Sequence, residues 1–246
     1  MFAKITAQLS SPLALSPDGV PPHLDALCEY VMSKKARSIA ESKNGHRHPV
    51  SATIPGQPVE RQGTLPIPIV RKWVDCGNGL RCPIPRVSQG IVEPIKQRSE
   101  NYHCAFPLER AGQLKEKQRT TIATTGGPLK SFRLPLRIVD TSRVVWFAEL
   151  RDKKESGRAP MSELRKILRQ VHAIGKKTSQ GFGTVAEWLV EPTDIDASWI
   201  YDGVLMRPLP VDLGADASHG KRRCFGAVAA PYWQADFYCD RFVPSC

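Results

Sequence analysis

The sequence predicts an α+β chain in which two amphipathic helices pack on one antiparallel sheet, with a basic insertion between the halves. Three features carry that prediction: an alternating strand at the start, two well-separated stretches of helical period, and a glycine-rich turn leading into a late strand. The 246 residues are 41% hydrophobic and 24% charged, enough for a real core and outside the composition of disordered chains.

Residues 1–9 alternate. Ala3, Ile5, Ala7 and Leu9 share one face, and Phe2, Lys4, Thr6 and Gln8 the other, as in a half-buried strand. Ser10-Ser11-Pro12 and Pro17-Asp18-Gly19 break it. A helix follows Pro21-Pro22, with Leu24, Leu27, Cys28 and Val31 on one stripe. Lys34, Lys35 and Arg37 then suit the negative pole of its dipole. Residues 43–63 read as a loop. Leu65-Pro66-Ile67-Pro68-Ile69-Val70 reads as a short strand that its prolines restrict to a sheet edge.

Residues 75–130 show no sustained period, and a structureless loop of that length would be unusual inside a compact domain. An insertion is predicted, with its own hairpin or ordered on a partner. Phe132 to Ile138 and Val144 to Leu150, joined by Asp140-Thr141-Ser142, read as a hairpin with Arg133 and Arg137 on its polar face. The second helix has its stripe at Leu164, Ile167, Leu168 and Val171, a start at Pro160 or Ser162 and a stop near Gly175, which puts His172 in its last turn. Thr184 to Val190 is the last strand of this series.

The order strand, helix, strands, helix, strand is the split βαβ of a ferredoxin-like (RRM-like) fold. The predicted organisation is therefore one such domain over residues 1–197, with the insertion at about 75–130. A C-terminal extension over 198–246 packs on its core. That extension carries Val204-Leu205-Met206-Arg207, the basic run Lys221-Arg222-Arg223, which reads as a solvated loop or a nucleic-acid backbone contact, and the aromatics Tyr232, Trp233, Phe237, Tyr238 and Phe242. Aromatics so concentrated serve to close a core or an interface with a partner subunit, or as base-stacking platforms.

Charge narrows the partners. Thirty-five Lys and Arg against 24 Asp and Glu leave +11. Residues 61–190 alone hold 24 basic against 11 acidic residues, while 191–246 hold 5 against 8. A middle segment this basic suits RNA or DNA. The longest strongly apolar run, Val144 to Ala148, is far below the roughly 20 residues that span a bilayer. Met1-Phe2-Ala3-Lys4-Ile5-Thr6 has no apolar signal region, so a cytoplasmic chain is expected. Its seven cysteines are then most simply free thiols.

Gly175-Lys176-Lys177-Thr178-Ser179-Gln180-Gly181-Phe182-Gly183 is the most informative stretch. Its glycines let a bound backbone come close, its amides and lysines suit phosphate oxygens, and Phe182 suits base stacking. It is not a P-loop, because Gly181 is followed by Phe182 and a strand. Gly181-Phe182-Gly183-Thr184-Val185-Ala186 fits G-x-G-x-x-A, but a dinucleotide fold needs the strand before the motif and the helix after it. An ordinary helix-to-strand turn with a solvated charge pair is the plain alternative.

A G-K-x-x-x-x-G-F-G loop between the last helix and strand of a ferredoxin-like unit resembles the repeat-associated mysterious proteins (RAMPs) of CRISPR systems. The opening strand, Leu24-Asp25-Ala26-Leu27, Gly126-Gly127-Pro128-Leu129-Lys130 before a strand, and the aromatic C-terminus most resemble the type IV subunits that bind the 5′ handle of the CRISPR RNA (crRNA). The likeness covers roughly residues 1–40 and 120–246. It implies a non-catalytic crRNA-binding subunit of a multi-protein effector that targets DNA by guide pairing, in contact with the repeated backbone subunit and the large subunit. It implies RNA contacts at Gly175 to Gly183, with Lys130 and Arg133 next. It also implies a hairpin thumb, for which Arg110, Lys115, Lys117 and Arg119 are the candidates. No cofactor and no membrane partner is implied.

Some RAMPs are metal-independent ribonucleases, with a histidine in or just after the first helix. His46 and His48 lie there, yet Asn44 to Pro49 reads as a loop without the rigid support a positioned base needs. The binder is therefore the preferred reading and the endoribonuclease the alternative; a general single-strand-binding protein is a third. Cys76-x5-Cys82 with His103-Cys104 offers four zinc ligands, but off the usual C-x2-4-C spacing, so free buried thiols are favoured and no metal site is assigned.

Overall fold

The computed structural model describes residues 1–44, 65–76, 81–104, 132–152, 159–218, 221–230, 232 and 237–244, with backbone alone for 36–44 and 104. The first half contains β1 (Phe2–Leu9), β2 (Leu13–Leu15), α1 (Leu24–Asn44), β3 (Arg71–Asp75), β4 (Arg81–Pro85), β5 (Ile91–Val92) and β6 (Lys96–Cys104). It continues with β7 (Phe132–Asp140), β8 (Arg143–Glu149), α2 (Pro160–Leu168) and β9 (Val185–Thr193). The C-terminal part holds β10 (Ile200–Tyr201), β11 (Val204–Leu205), β12 (Leu209–Pro210), α3 (Val211–Gly214), β13 (Lys221–Ala227) and β14 (Tyr238–Pro244). The class is α+β, with antiparallel strand pairs.

The central sheet has the order β5-β8-β1-β9. Alternation along β1 decides its faces: Ala3, Ile5 and Ala7 are fully buried, and pair with Ala148, Trp146 and Val144 of β8. That apolar face meets Leu24, Cys28 and Val31 of α1 and Leu164, Ile167 and Leu168 of α2, so both helices share one core with the sheet. Trp146 is the largest buried side chain there; its indole N–H donates to the Pro22 carbonyl (3.0 Å) and fixes the entry to α1.

Four expectations need correction. Residues 65–70 form only a bridge, Ile69 to Leu150, because Pro66 and Pro68 have no N–H to donate; Ile67 and Ile69 are still core residues. Residues 132–150 are two strands but not a hairpin. Thr141 and Ser142 turn the chain between sheets, so that β7 pairs with β2 and β6 while β8 pairs with β1 and β5. Each strand follows its own apolar face: Leu136 and Ile138 pack on Ala14, and Val144 and Trp146 pack on α1. The second helix ends at Leu168 instead of near Gly175, since the chain turns there to bring Val171 and Ile174 into the core. His172 is thus exposed beyond the helix. Lys221-Arg222-Arg223 starts β13 and is not a loop, its backbone pairing with Pro244, Val243 and Phe242.

The strands within residues 75–130 pair with strands outside that stretch, and β5 joins the central sheet. β3 pairs with β4, and β6 pairs along its whole length with β7; the predicted thumb residues between β6 and β7 lie outside the described residues. The first hairpin joins the C-terminal strands in a second core of Cys82, Ile84, Leu205, Leu209, Val228, Phe237 and Cys239, with Tyr232, Tyr238 and Phe242 against it. The tail aromatics described here therefore close a core.

The two cores are joined by the buried Arg207. It donates to the carbonyls of Pro85 (2.9 Å), Val87 (3.0 Å) and Val228 (2.9 Å) and to the Tyr232 hydroxyl (3.0 Å), which donates to Asp25 in the first turn of α1 (2.9 Å). Arg86 pairs with Glu149 of the sheet and Asp196 beyond it, and lies on the Trp199 ring. Among the described residues, no helix is long and apolar enough to cross a membrane.

Candidate nucleic-acid interface

The glycine loop is closed at its base by backbone bonds. Ile174 N–H donates to the Gly183 carbonyl (2.8 Å), and Ala173 bridges Thr184. The same base is stitched to the chain around β2: Gly183 N–H donates to Pro12 O (2.8 Å), Lys176 N–H to Ala14 O (2.7 Å), and Thr184 N–H to the Ser11 hydroxyl (2.8 Å). Trp188 adds a brace, its indole donating to the Val171 carbonyl (2.9 Å) between α2 and the loop. Gly183 has φ +63°, and a Cβ there would overlap the Ile174 carbonyl oxygen, so that position accepts glycine alone.

Above this base, Thr178–Gln180 form a single 3-10 turn, and Gly175, Lys176, Thr178, Ser179, Gln180 and Gly181 are exposed. Among the described residues no carbonyl accepts from the amides of Lys177, Thr178, Ser179 or Phe182. Lys177 is itself left-handed (φ 55°). Its Nζ sits 3.3 Å from the Tyr102 ring centroid on β6 and 5.6 Å from that of Phe132 on β7, so a cation–π contact clamps the loop to the hairpin. Phe182 is half-buried against Ala14, Leu136 and Ile138, which leaves only its uncovered part for a base.

Of the other predicted contacts, Arg133 is exposed on β7 opposite His103, on the hairpin that carries the Lys177 clamp, and Lys130 lies outside the described residues. On the same hairpin Arg98 is paired with Glu100 (2.6 Å) and Asp140 (3.3 Å), whereas Arg133 and Arg137 have no carboxylate partner among the described residues. Lys177 and Phe182 pack on the face of β7 that carries Phe132, Leu136 and Ile138, so Arg133, one position out of that alternation, lies on the opposite face of the strand and is not brought together with Lys176 and Lys177. Sequence reasoning missed Tyr102. It lies on β6, where every other described side chain is exposed, so no apolar alternation marks the strand.

The other sharp candidates separate. His46 and His48 lie outside the described residues. Cys76 and Cys82 do not meet His103, which stands exposed on a different sheet; they join Cys239 in the second core as free thiols. A hydrogen bond with Cys76, together with burial, pushes the Cys239 thiol far up. Among the described residues, no group of three or more His, Cys, Asp or Glu is arranged to hold a metal ion. No family model matches the chain, and no curated protein is similar to it.

Proposed function

We propose that this chain is a non-catalytic RNA-binding subunit with a ferredoxin-like RAMP core, holding the 5′ handle of a crRNA in a type IV CRISPR effector. The observation that carries the reading is the glycine loop. It is a rigidly based, exposed loop with unpaired amides and two lysines, held on the β6–β7 strand pair through Lys177. The sheet order β5-β8-β1-β9, with a helix after β1 and another after β8, supports the ferredoxin-like core. Guide pairing would supply recognition of target DNA, and this subunit would read backbone shape and phosphate spacing. The repeated backbone subunit and the large subunit are the protein partners this reading names. The alternatives keep their tests: an endoribonuclease acting through His46 or His48, and a general single-strand binder.

Salt dependence tests the site. Replacing Lys176 and Lys177 together with Ala should shallow the slope of log K against log salt for a single-stranded repeat RNA by about 1 to 1.5. An unchanged slope removes both lysines from the interface.

A further inference from the structure

Some arginines of this chain are held in ion pairs and others are not. Arg71, Arg86, Arg98, Arg143 and Arg223 each reach a carboxylate. Arg137, Arg222 and Arg241 have none among the described residues, and these three line one cleft. It consists of two cavities, of about 420 and 440 Å³, that share Gln89 and Pro244 in their walls. Each is within the usual range for a small-molecule site.

The cleft is built by the turn after β2, by β7 and by the C-terminal strands. Ser16-Pro17-Asp18-Gly19 closes on a bond from Gly19 N–H to the Ser16 carbonyl (2.8 Å), with Gly19 at φ +72°. The Arg137 guanidinium occupies the space a Cβ at Gly19 would need, so glycine lets it lie on the turn. At the other end Arg241 lies across Gly226, donating to the Ala227 carbonyl, while its Nε is buried without an acceptor. His23 Nδ1, in the same wall, is likewise buried and unpartnered. Unsatisfied groups of this kind are rare in folded chains and call for a partner. Asp18 is the only carboxylate among the described wall residues, and its Oδ1 accepts from Val20 N–H (3.5 Å). Between the cations the wall is apolar, with Val20, Pro208 and Val243.

Guanidiniums free of carboxylates recognise phosphate, an apolar wall takes the face of a ring, and the Gln89 amide offers both a donor and an acceptor to a base edge. We propose that this cleft is a nucleotide-binding site distinct from the glycine loop, with Arg222 and Arg137 holding phosphate and the ring lying on the apolar wall. The ligand is a phosphorylated nucleotide, either free or as one unit of a single strand.

The test titrates the full chain in EDTA with AMP and CMP by calorimetry, and with a single-stranded 12-mer RNA over a range of salt. The test variant is Arg137→Gln with Arg222→Gln, neither of whose side chains makes a hydrogen bond or ion pair among the described residues, their strand pairing being through the backbone. Arg222→Glu alone, on an exposed side chain, is the second variant, and a thermal melt checks the fold of both. If the source is a free nucleotide, AMP or CMP binding falls at least tenfold in the variants and persists in Lys176→Ala, Lys177→Ala. If the source is a strand, the double variant shallows the RNA salt slope by about 1 to 1.5 beyond the effect of the lysine pair. Folded variants that bind both ligands as the parent does overturn the proposal, while RNA binding lost with the lysines leaves the loop reading standing. A parent chain that binds neither ligand overturns both.

Discussion

Lys177 is the residue on which loop and hairpin meet, since its left-handed backbone turns the loop while its ammonium rests on Tyr102. Tyr102→Ala should therefore loosen the loop and weaken RNA binding several-fold without removing a charge; unchanged affinity would make the clamp irrelevant to binding. Two buried groups at the start of α1 predict pH dependence of opposite sign. Burial pushes His23 down to about 4, so the stability it contributes is complete above about pH 6.5 and is lost as pH falls towards 4. Burial pushes Glu29 up to about 7 against the pull of Arg71, so its contribution is complete below about pH 4.5 and is lost as pH rises through 7. His23→Gln should flatten the acid arm, by on the order of 3 kcal/mol at most, and leave the arm near pH 7 in place. Urea midpoints between pH 4 and 7.5 measure this, and an acid arm identical to the parent's would exclude His23 as its source.

The loop and its base are the element that the sequence announced most clearly. Gly183→Ala must push the Ile174 carbonyl aside and should cost more than about 2 kcal/mol, while Gly181→Ala meets no atom and should cost only the left-handed backbone penalty of about 1 to 2 kcal/mol. Equal losses in denaturant melts would refute the distinction. Strands and helices with a one-sided apolar face, β1, α1, α2 and β9, were legible because burial imposes a period on them. Partner choice was not. β7 and β8 carry the same alternation, and only the positions of Ala14 and α1 send them to different sheets. β6 has no buried face to leave a trace, and β13 reads as a charged run because Lys221, Arg222 and Arg223 pair through their backbones. The same reason hid the cleft: Arg137 and Arg222 stand 85 positions apart and line two cavities that share only Gln89 and Pro244 in their walls.

At the scale of the molecule, the C-terminal strands are tied to the central sheet by polar groups as much as by apolar ones. Arg207 donates to three buried carbonyls; the Trp199 indole also reaches that of Pro85 (2.9 Å), so those of Val87 and Val228 are the ones left to Arg207 among the described side chains. Arg207→Met should lower stability by about 3 kcal/mol or more through those orphaned acceptors, read as a shift in urea midpoint; a near-neutral change would show that water replaces it. The most direct test of the central claim incubates the purified chain with labelled crRNA repeat in EDTA and follows binding and cleavage in the same samples. The account predicts intact RNA retained in a manner that depends on the 5′ handle. A discrete cut within the repeat, lost in His46→Ala, His48→Ala, or retention of any single strand without regard to the handle, would contradict it.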